Sequence, residues 1–270
     1  MPKNVEKDRF YYHEDFLGSP DGRAVRILSE YFGPLRRIIQ NRIFDTIVFF
    51  GSARIKSKED AEKSLLNAPK SISKPKRKHL EKDLEMSHYY ESARELAYKL
   101  TRWSKNLKGK KARYIVTSGG GGGIMEAANR GAKEADGISM GLTISLPNEN
   151  SGNQWISNDL DLKFHYFFMR KFWFIYLAKA LIVWPGGFGT LDELMELLTL
   201  IQTQKIRKRV PIVLFGNTFW SKVINWNYLE DVGTISAKDL ELFHFSDTVD
   251  DTFQYITSFI EKYQLKGPNF

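Results

Sequence analysis

Five consecutive glycines, Gly119 to Gly123, stand between the apolar run Tyr114-Ile-Val-Thr and the helical pattern of Ile124 to Ala135. Glycine loses more conformational freedom on folding than any other residue, so five in a row are costly as a mere turn. A strand–glycine–helix succession gives that cost a use. Backbone N–H groups reach an anion with no Cβ in the way, and the helix start adds a positive dipole. The succession recurs where Ala180-Leu-Ile-Val-Trp runs into Pro185-Gly-Gly-Phe-Gly and then into a helical pattern from Thr190 to Lys205. A third short apolar run, Thr46-Ile-Val-Phe-Phe, ends at Gly51-Ser52.

Continuous apolar runs bounded this way read as buried parallel strands. Further strands are expected at 139–146, 162–165 and 211–216, with an edge strand at 243–245. Helices are expected at 87–105, 167–178, 219–228 and 249–263. Strand and helix alternate throughout, which calls for an α/β fold with a parallel sheet and helices on both faces. Ligands of such sheets sit beyond the strands' carboxyl ends near the switch point, where both glycine loops fall. Residues 1–45 carry no strand signal. Val25, Leu28, Phe32, Leu35 and Ile39 keep a helical period there, and Pro34 is expected to kink or divide that helix. The chain therefore divides into an N-terminal helical extension, 1–45, and one domain, 46–270, with a polar basic insertion at about 56–85. No internal repeat is seen.

The chain has 270 residues, with 40 Lys plus Arg against 32 Asp plus Glu and a formal charge of +8. This balance admits nucleic acid, anionic membranes or phosphorylated small molecules. Much of the excess lies between Lys70 and Lys82, with six Lys or Arg against one Glu and no aromatic residue. Such a stretch reads as a solvated face and argues against a nucleic-acid partner, which needs aromatic or helical context beside the charges. With no cysteine, disulfides, thiolate metal sites and Cys nucleophiles are excluded. No apolar run approaches the ~18 residues that span a bilayer, and the polar N-terminus is no signal peptide, so a cytoplasmic protein without membrane contact is expected.

The second loop reads Pro185-Gly-Gly-Phe-Gly-Thr-Leu-Asp-Glu. Thr190 and Glu193 have the spacing of a capping box. The loop also makes a phosphate cradle from the N–H groups of 187–190, the Thr190 hydroxyl and the helix dipole. A carboxylate just behind a phosphate site is electrostatically awkward, which points to a use for Glu193: gripping a ribose hydroxyl, steering a water or stabilising positive charge. Arg170 and Lys171 lie at the start of a helix, where cations oppose the dipole. The first loop lacks the usual setting of the dinucleotide fingerprint, and no acidic residue clearly ends the next strand, which disfavours NAD.

Taken together, Gly51-Ser-Ala-Arg54, Gly119-Gly-Gly-Gly-Gly-Ile-Met-Glu126, Met169-Arg-Lys171 and Pro185-Gly-Gly-Phe-Gly-Thr-Leu-Asp-Glu193 resemble the LOG ("lonely guy") family of cytokinin riboside 5′-monophosphate phosphoribohydrolases, long mislabelled lysine decarboxylases. The resemblance runs from about Thr46 to Gly216. It implies a Rossmann-like fold, a homodimer or an assembly of dimers, and hydrolysis of AMP-like nucleotides to free base and ribose 5-phosphate, with no cofactor. By the family's pattern Arg170 and Glu193 are catalytic, Gly186, Gly187, Gly189 and Thr190 hold the phosphate, and Thr199 contacts ligand. Lys171, Ser52, Gly120, Gly121 and Gly122 complete the expected binding set.

Some features depart from the short plant form. Phe168-Met169 precedes Arg170 where a His-Glu or His-Gln pair is usual, Lys179 stands where Asp is common, and the first 45 residues and the basic insertion are extra. These features resemble the longer bacterial members and favour a general purine nucleotide over a cytokinin. Glu126, Glu149 and His165 are weak candidates for the acid that protonates the leaving base. No cluster has metal-ligand spacing, and no motif supplies the Schiff-base lysine with a pyridinium partner that a PLP decarboxylase needs. The alternative to an enzyme is a nucleotide or molybdenum-cofactor carrier, since related Rossmann proteins use similar glycine loops for carriage.

Overall fold

The computed structural model describes residues 9–107, 114–145 and 152–265. Seven strands form its sheet: β1 (Thr46–Phe50), β2 (Ile115–Ser118), β3 (Ser139–Ile144), β4 (Asp161–Phe164), β5 (Ala178–Val183), β6 (Ile212–Phe215) and β7 (His244–Ser246). Their order is β4-β3-β2-β1-β5-β6-β7, and every pairing is parallel. The expected α/β class holds, with β7 on an edge. The sequence order reverses at the β1–β5 pair, which is the switch point.

Ten α-helices complete the described fold: α1 (Glu14–Gly18), α2 (Arg23–Gln40), α3 (Lys58–Leu66), α4 (Lys74–Asn106), α5 (Ile124–Glu134), α6 (Phe167–Leu177), α7 (Phe188–Gln202), α8 (Asn217–Val223), α9 (Trp226–Asp231) and α10 (Val249–Tyr263). Alternate strand residues feed two cores. Val48, Phe50, Leu181 and Val183 pack with Ile38 of α2, Trp173 and Phe174 of α6 and Leu194 of α7. Ile47, Phe49, Ala180 and Ile182 pack with Tyr90 and Leu96 of α4, Ala128 of α5 and Ile256 of α10. Strands buried on both faces explain why the runs were continuously apolar rather than alternating.

The structure corrects the reading of residues 56–85. The second half of that stretch is no separate insertion but the front of α4, which runs unbroken into the helix expected at 87–105. Lys, Arg, Glu and Leu are all good helix formers, and Pro75 sits at the helix start, where its missing N–H costs nothing. The chain alone offers no breaker between Pro75 and Asn106. Where α4 crosses α5 the backbones nearly touch: a Cβ on Gly131 would lie 2.0 Å from the Arg94 carbonyl oxygen. The segment expected as one helix at 219–228 is two, α8 and α9, with Asn225 capping the second.

Pro34 does not divide α2. A proline removes one N–H and so orphans the carbonyl four residues earlier. Here that carbonyl belongs to Glu30, and the Trp173 indole Nε1 donates to it at 3.1 Å. The Glu30 carboxylate also accepts from the His165 N–H (2.7 Å) and the Tyr166 N–H (3.1 Å), at the start of α6. The N-terminal extension thus docks on α6 through one residue's carbonyl and carboxylate, and Tyr31 packs against Phe172 and Trp173. No helix of the described residues is long and apolar enough to cross a membrane.

Candidate functional site

Three strand-to-helix loops meet at the switch point because Ser52 joins them. Its N–H donates to the Pro185 carbonyl at 3.0 Å, and its own carbonyl accepts from the Ile124 N–H at 3.1 Å. The loops after β1, β2 and β5 are thereby tied edge to edge. Above them opens a cavity of about 610 Å³ that reaches from β4 across to β5. That volume is within the range of small-molecule sites. Of the residues expected at the site, Ser52, Gly120, Gly121, Arg170, Gly187, Gly189, Thr190 and Glu193 line it.

Four other expected residues do not. Gly186 stands behind the wall, where a Cβ would come within 2.1 Å of the Thr190 Oγ1, so its bareness lets Thr190 fold back onto the loop. Gly122 packs near the Ala53 carbonyl. Thr199, further along α7, gives its hydroxyl to the Met195 carbonyl at 2.7 Å. Lys171 leaves the cavity for α7, bridging Asp192 at 2.8 Å and Glu196 at 2.9 Å. Burial works against its charge, but the bonds to the two carboxylates hold its pKa above the usual lysine value. Of the weak acid candidates, Glu126 accepts from the Tyr90 hydroxyl at 3.0 Å and His165 is exposed; neither lines the cavity. Glu149 lies outside the described residues.

The capping box is corrected too. α7 begins at Phe188 with Gly187 in the cap position, and no side chain caps it. Thr190 is therefore the third helical residue, and Glu193 sits a turn inside. Paired glycines let the helix start early, and the first-turn N–H groups at Phe188, Gly189 and Thr190 have no intrahelical acceptor. All three residues line the cavity.

Glu193 is 3% exposed, and its Oε2 has no hydrogen-bond partner. The nearest cation is Arg170, whose Nη2 lies 3.8 Å from Oε1, too far for a hydrogen bond. Burial raises the Glu193 pKa to about 7, against the lowering pull of Arg170 and Lys171. Arg170 is itself largely buried between the rings of Phe167 (5.2 Å) and Phe174 (5.7 Å), with Nε unpartnered. Burial lowers its pKa, and Glu193 opposes the shift. A buried ion pair at contact without a hydrogen bond is an expensive arrangement. Both residues line the cavity wall.

Sequence reasoning missed Arg54 and Lys163, which add positive charge to the wall, and the apolar floor of Met125, Phe167 and Phe174. Arg54 stood inside a quoted motif. Lys163 had no motif, and only its position at the end of a strand could have flagged it. Among the described residues no group of three His, Cys, Asp or Glu could hold a metal ion.

A family model described as "Possible lysine decarboxylase" matches residues 125–256, which include Arg170, Gly186–Thr190 and Glu193. The fold and site define a doubly wound α/β protein with a crevice pocket. The matched stretch carries motifs by which the chain resembles the LOG-like group. Among solved structures it is similar to the X-ray structure of TM1055, with 21% identity and a TM-score of 0.48, over 79% of this chain and 99% of that one. It is also similar to the Moco carrier protein from Chlamydomonas reinhardtii, with 17% identity and a TM-score of 0.45, over 81% of this chain and 99% of that one. No curated protein matches the chain.

The raised Glu193 pKa has a consequence for stability. The folded state disfavours the carboxylate, so the stability this group contributes is present below its unfolded value of 4.5 and lost as pH rises to about 7. Glu193→Gln therefore gains on the wild type as pH rises from 5 to 8, by up to about 3 kcal/mol. Any cost of leaving Arg170 without its partner is independent of pH in that window. Thermal melts at pH 5, 6, 7 and 8 check this; a Tm difference that does not change with pH contradicts it.

Proposed function

We propose that the chain is a nucleoside 5′-monophosphate phosphoribohydrolase. The observation that carries this reading is the buried Glu193 carboxylate, its Oε2 without a hydrogen-bond partner, one helical turn behind the first-turn N–H groups of α7. The phosphate sits on the N–H groups of Phe188, Gly189 and Thr190 and on the Thr190 hydroxyl, where helix geometry favours an anion. The ribose then lies over Glu193 and Arg170, and the base extends across β1 toward the Met125 floor. The motif resemblance to the LOG family supports the same reaction class, and by that family's pattern the catalytic roles fall to Arg170 and Glu193.

Water adds to ribose C1′ as the N-glycosidic bond breaks. The bonding pair leaves with the base, which takes up a proton. The sugar passes through an oxocarbenium-like state, and enzymes acting on related bonds place a carboxylate where that charge develops. Glu193 serves there by stabilising the cation and accepting the water's proton. A pKa of about 7 suits a general base at neutral pH. Arg170 positions the ligand and stabilises developing negative charge. The expected products are free base and ribose 5-phosphate, from a general purine nucleotide, with no cofactor.

The same reading proposes a homodimer in the cytoplasm. Phe168, Phe172 and Tyr176 on α6, the helix that also carries Arg170, and Leu28 and Phe32 on α2 leave apolar surface exposed. A patch of this kind fits a protein interface. Sedimentation equilibrium is expected to give twice the monomer mass; a monomer at micromolar concentration contradicts the dimer.

Glu193→Gln is expected to lose base release from AMP by at least about a hundredfold, the scale of general acid–base catalysis, while still binding AMP. In the wild type kcat is expected to fall as pH drops through about 7, because protonation removes the base. Full activity in the variant, measured as adenine by chromatography, sinks the assignment.

A further inference from the structure

We propose that Asn153 is the positioning residue that shapes the β2 glycine loop for ligand. This rests on the nucleotide reading above. Asn153 is outside the cavity, on a strap of residues 152–157 that passes behind the loop. Its side-chain Nδ2 donates to the Gly121 carbonyl at 3.0 Å and the Gly120 carbonyl at 3.2 Å, and its backbone N–H donates to the Gly120 carbonyl at 2.7 Å. Nδ2 also reaches the Asn129 Oδ1 at 2.9 Å. Asn129 is fully buried and in turn accepts from the Ser118 hydroxyl at 2.7 Å.

These bonds fix which way the loop's peptides face. In a trans peptide the carbonyl of one residue and the N–H of the next point in opposite directions. With the Gly120 and Gly121 carbonyls drawn to Asn153, the N–H groups of Gly121 and Gly122 turn away from the strap, and Gly121, which lines the cavity with Gly119 and Gly120, turns its N–H to that side. Among the described residues neither amide donates to a protein acceptor. Without Asn153 the glycines, free in φ and ψ, would as readily turn their carbonyls inward and oppose an electronegative ligand atom.

The strap is itself held by shape. The Ile156 Cδ1 fills a hollow left by three glycines: Cβ atoms on Gly141, Gly152 and Gly120 would come within 2.4, 2.5 and 3.2 Å of it. The Trp155 N–H donates to the Asn153 Oδ1 at 3.1 Å, which fixes the amide so that Nδ2 faces the loop. This loop is two strand spacings from α7, about 10 Å. A nucleotide with its phosphate on α7 therefore presents its base edge to the Gly121 amide.

Asn153→Asp tests this. It keeps the shape and the acceptor for Trp155 but replaces the donor with a carboxylate that repels both carbonyls. Two readouts are taken: AMP affinity by calorimetry, and the ¹H–¹⁵N shifts of Gly121 and Gly122 in ligand-free protein. The variant is expected to move both amide shifts and to weaken AMP at least about tenfold, as the loss of one or two hydrogen bonds does. Base release at saturating AMP stays within about threefold, since Glu193 and Arg170 are untouched, a split that general unfolding would not produce. Asn153→Ala should weaken AMP likewise, which covers misfolding of the aspartate variant. Unchanged AMP affinity in both variants overturns the proposal, whatever the shifts do. Moved shifts in a protein whose wild type ignores AMP uphold the loop geometry and overturn the nucleotide reading instead.

Discussion

The reversal of strand order between β1 and β5 is the constraint on which the rest depends. Crossovers between parallel strands are right-handed, so chains that wind outward in opposite directions from one strand send their helices to opposite faces. α4 and α5 pack on one face, α6 and α7 on the other. The loops after neighbouring strands then diverge, and a crevice is left at their carboxyl ends. The Ser52 backbone keeps that crevice from splaying, because it bonds to the β5 loop on one side and to the start of α5 on the other. Both glycine loops and the buried pair are placed by this arrangement.

Within the crevice the largest local cost is electrostatic. Glu193 and Arg170 are withdrawn from water and are too far apart to satisfy each other. Lys171 acts from outside, bridging α6 to α7 through Asp192 and Glu196, next to Arg170 on one helix and Glu193 on the other. α6 is in turn braced from behind by Glu30 of the extension. These polar contacts thus surround one pair at the cavity wall that is left unsatisfied. Strain of this sort, over-determined by its surroundings, belongs to binding and catalytic sites.

Much of this was legible in the sequence because the relevant physics is local. Apolar runs of five or six residues mark strands buried on both faces, and glycines directly after them mark loops that backbone must approach closely. These signals placed β1, β2, β5 and the cavity-lining Gly120, Gly121, Gly187, Gly189 and Thr190. What was not legible depends on distant partners. Pro34 reads as a break in any isolated helix, and only the Trp173 indole, 139 positions away, lets α2 continue. Lys171 shares a motif with Arg170, yet adjacent helical residues point about 100° apart, so one enters the cavity and its neighbour leaves it. The spacing of Thr190 and Glu193 matches a capping box, but the glycines before them start the helix earlier. Lys163 and Asn153 carry no motif, and only the folded sheet brings them to the glycine loops.

The central claim, that this crevice cleaves the bond between base and ribose, is tested most directly by incubating the wild-type protein with AMP, GMP, CMP and a cytokinin ribotide and separating the products by chromatography. Free purine base and ribose 5-phosphate are expected in equal amounts from AMP or GMP. No base from any of the four would contradict it and leave carriage as the reading of the site.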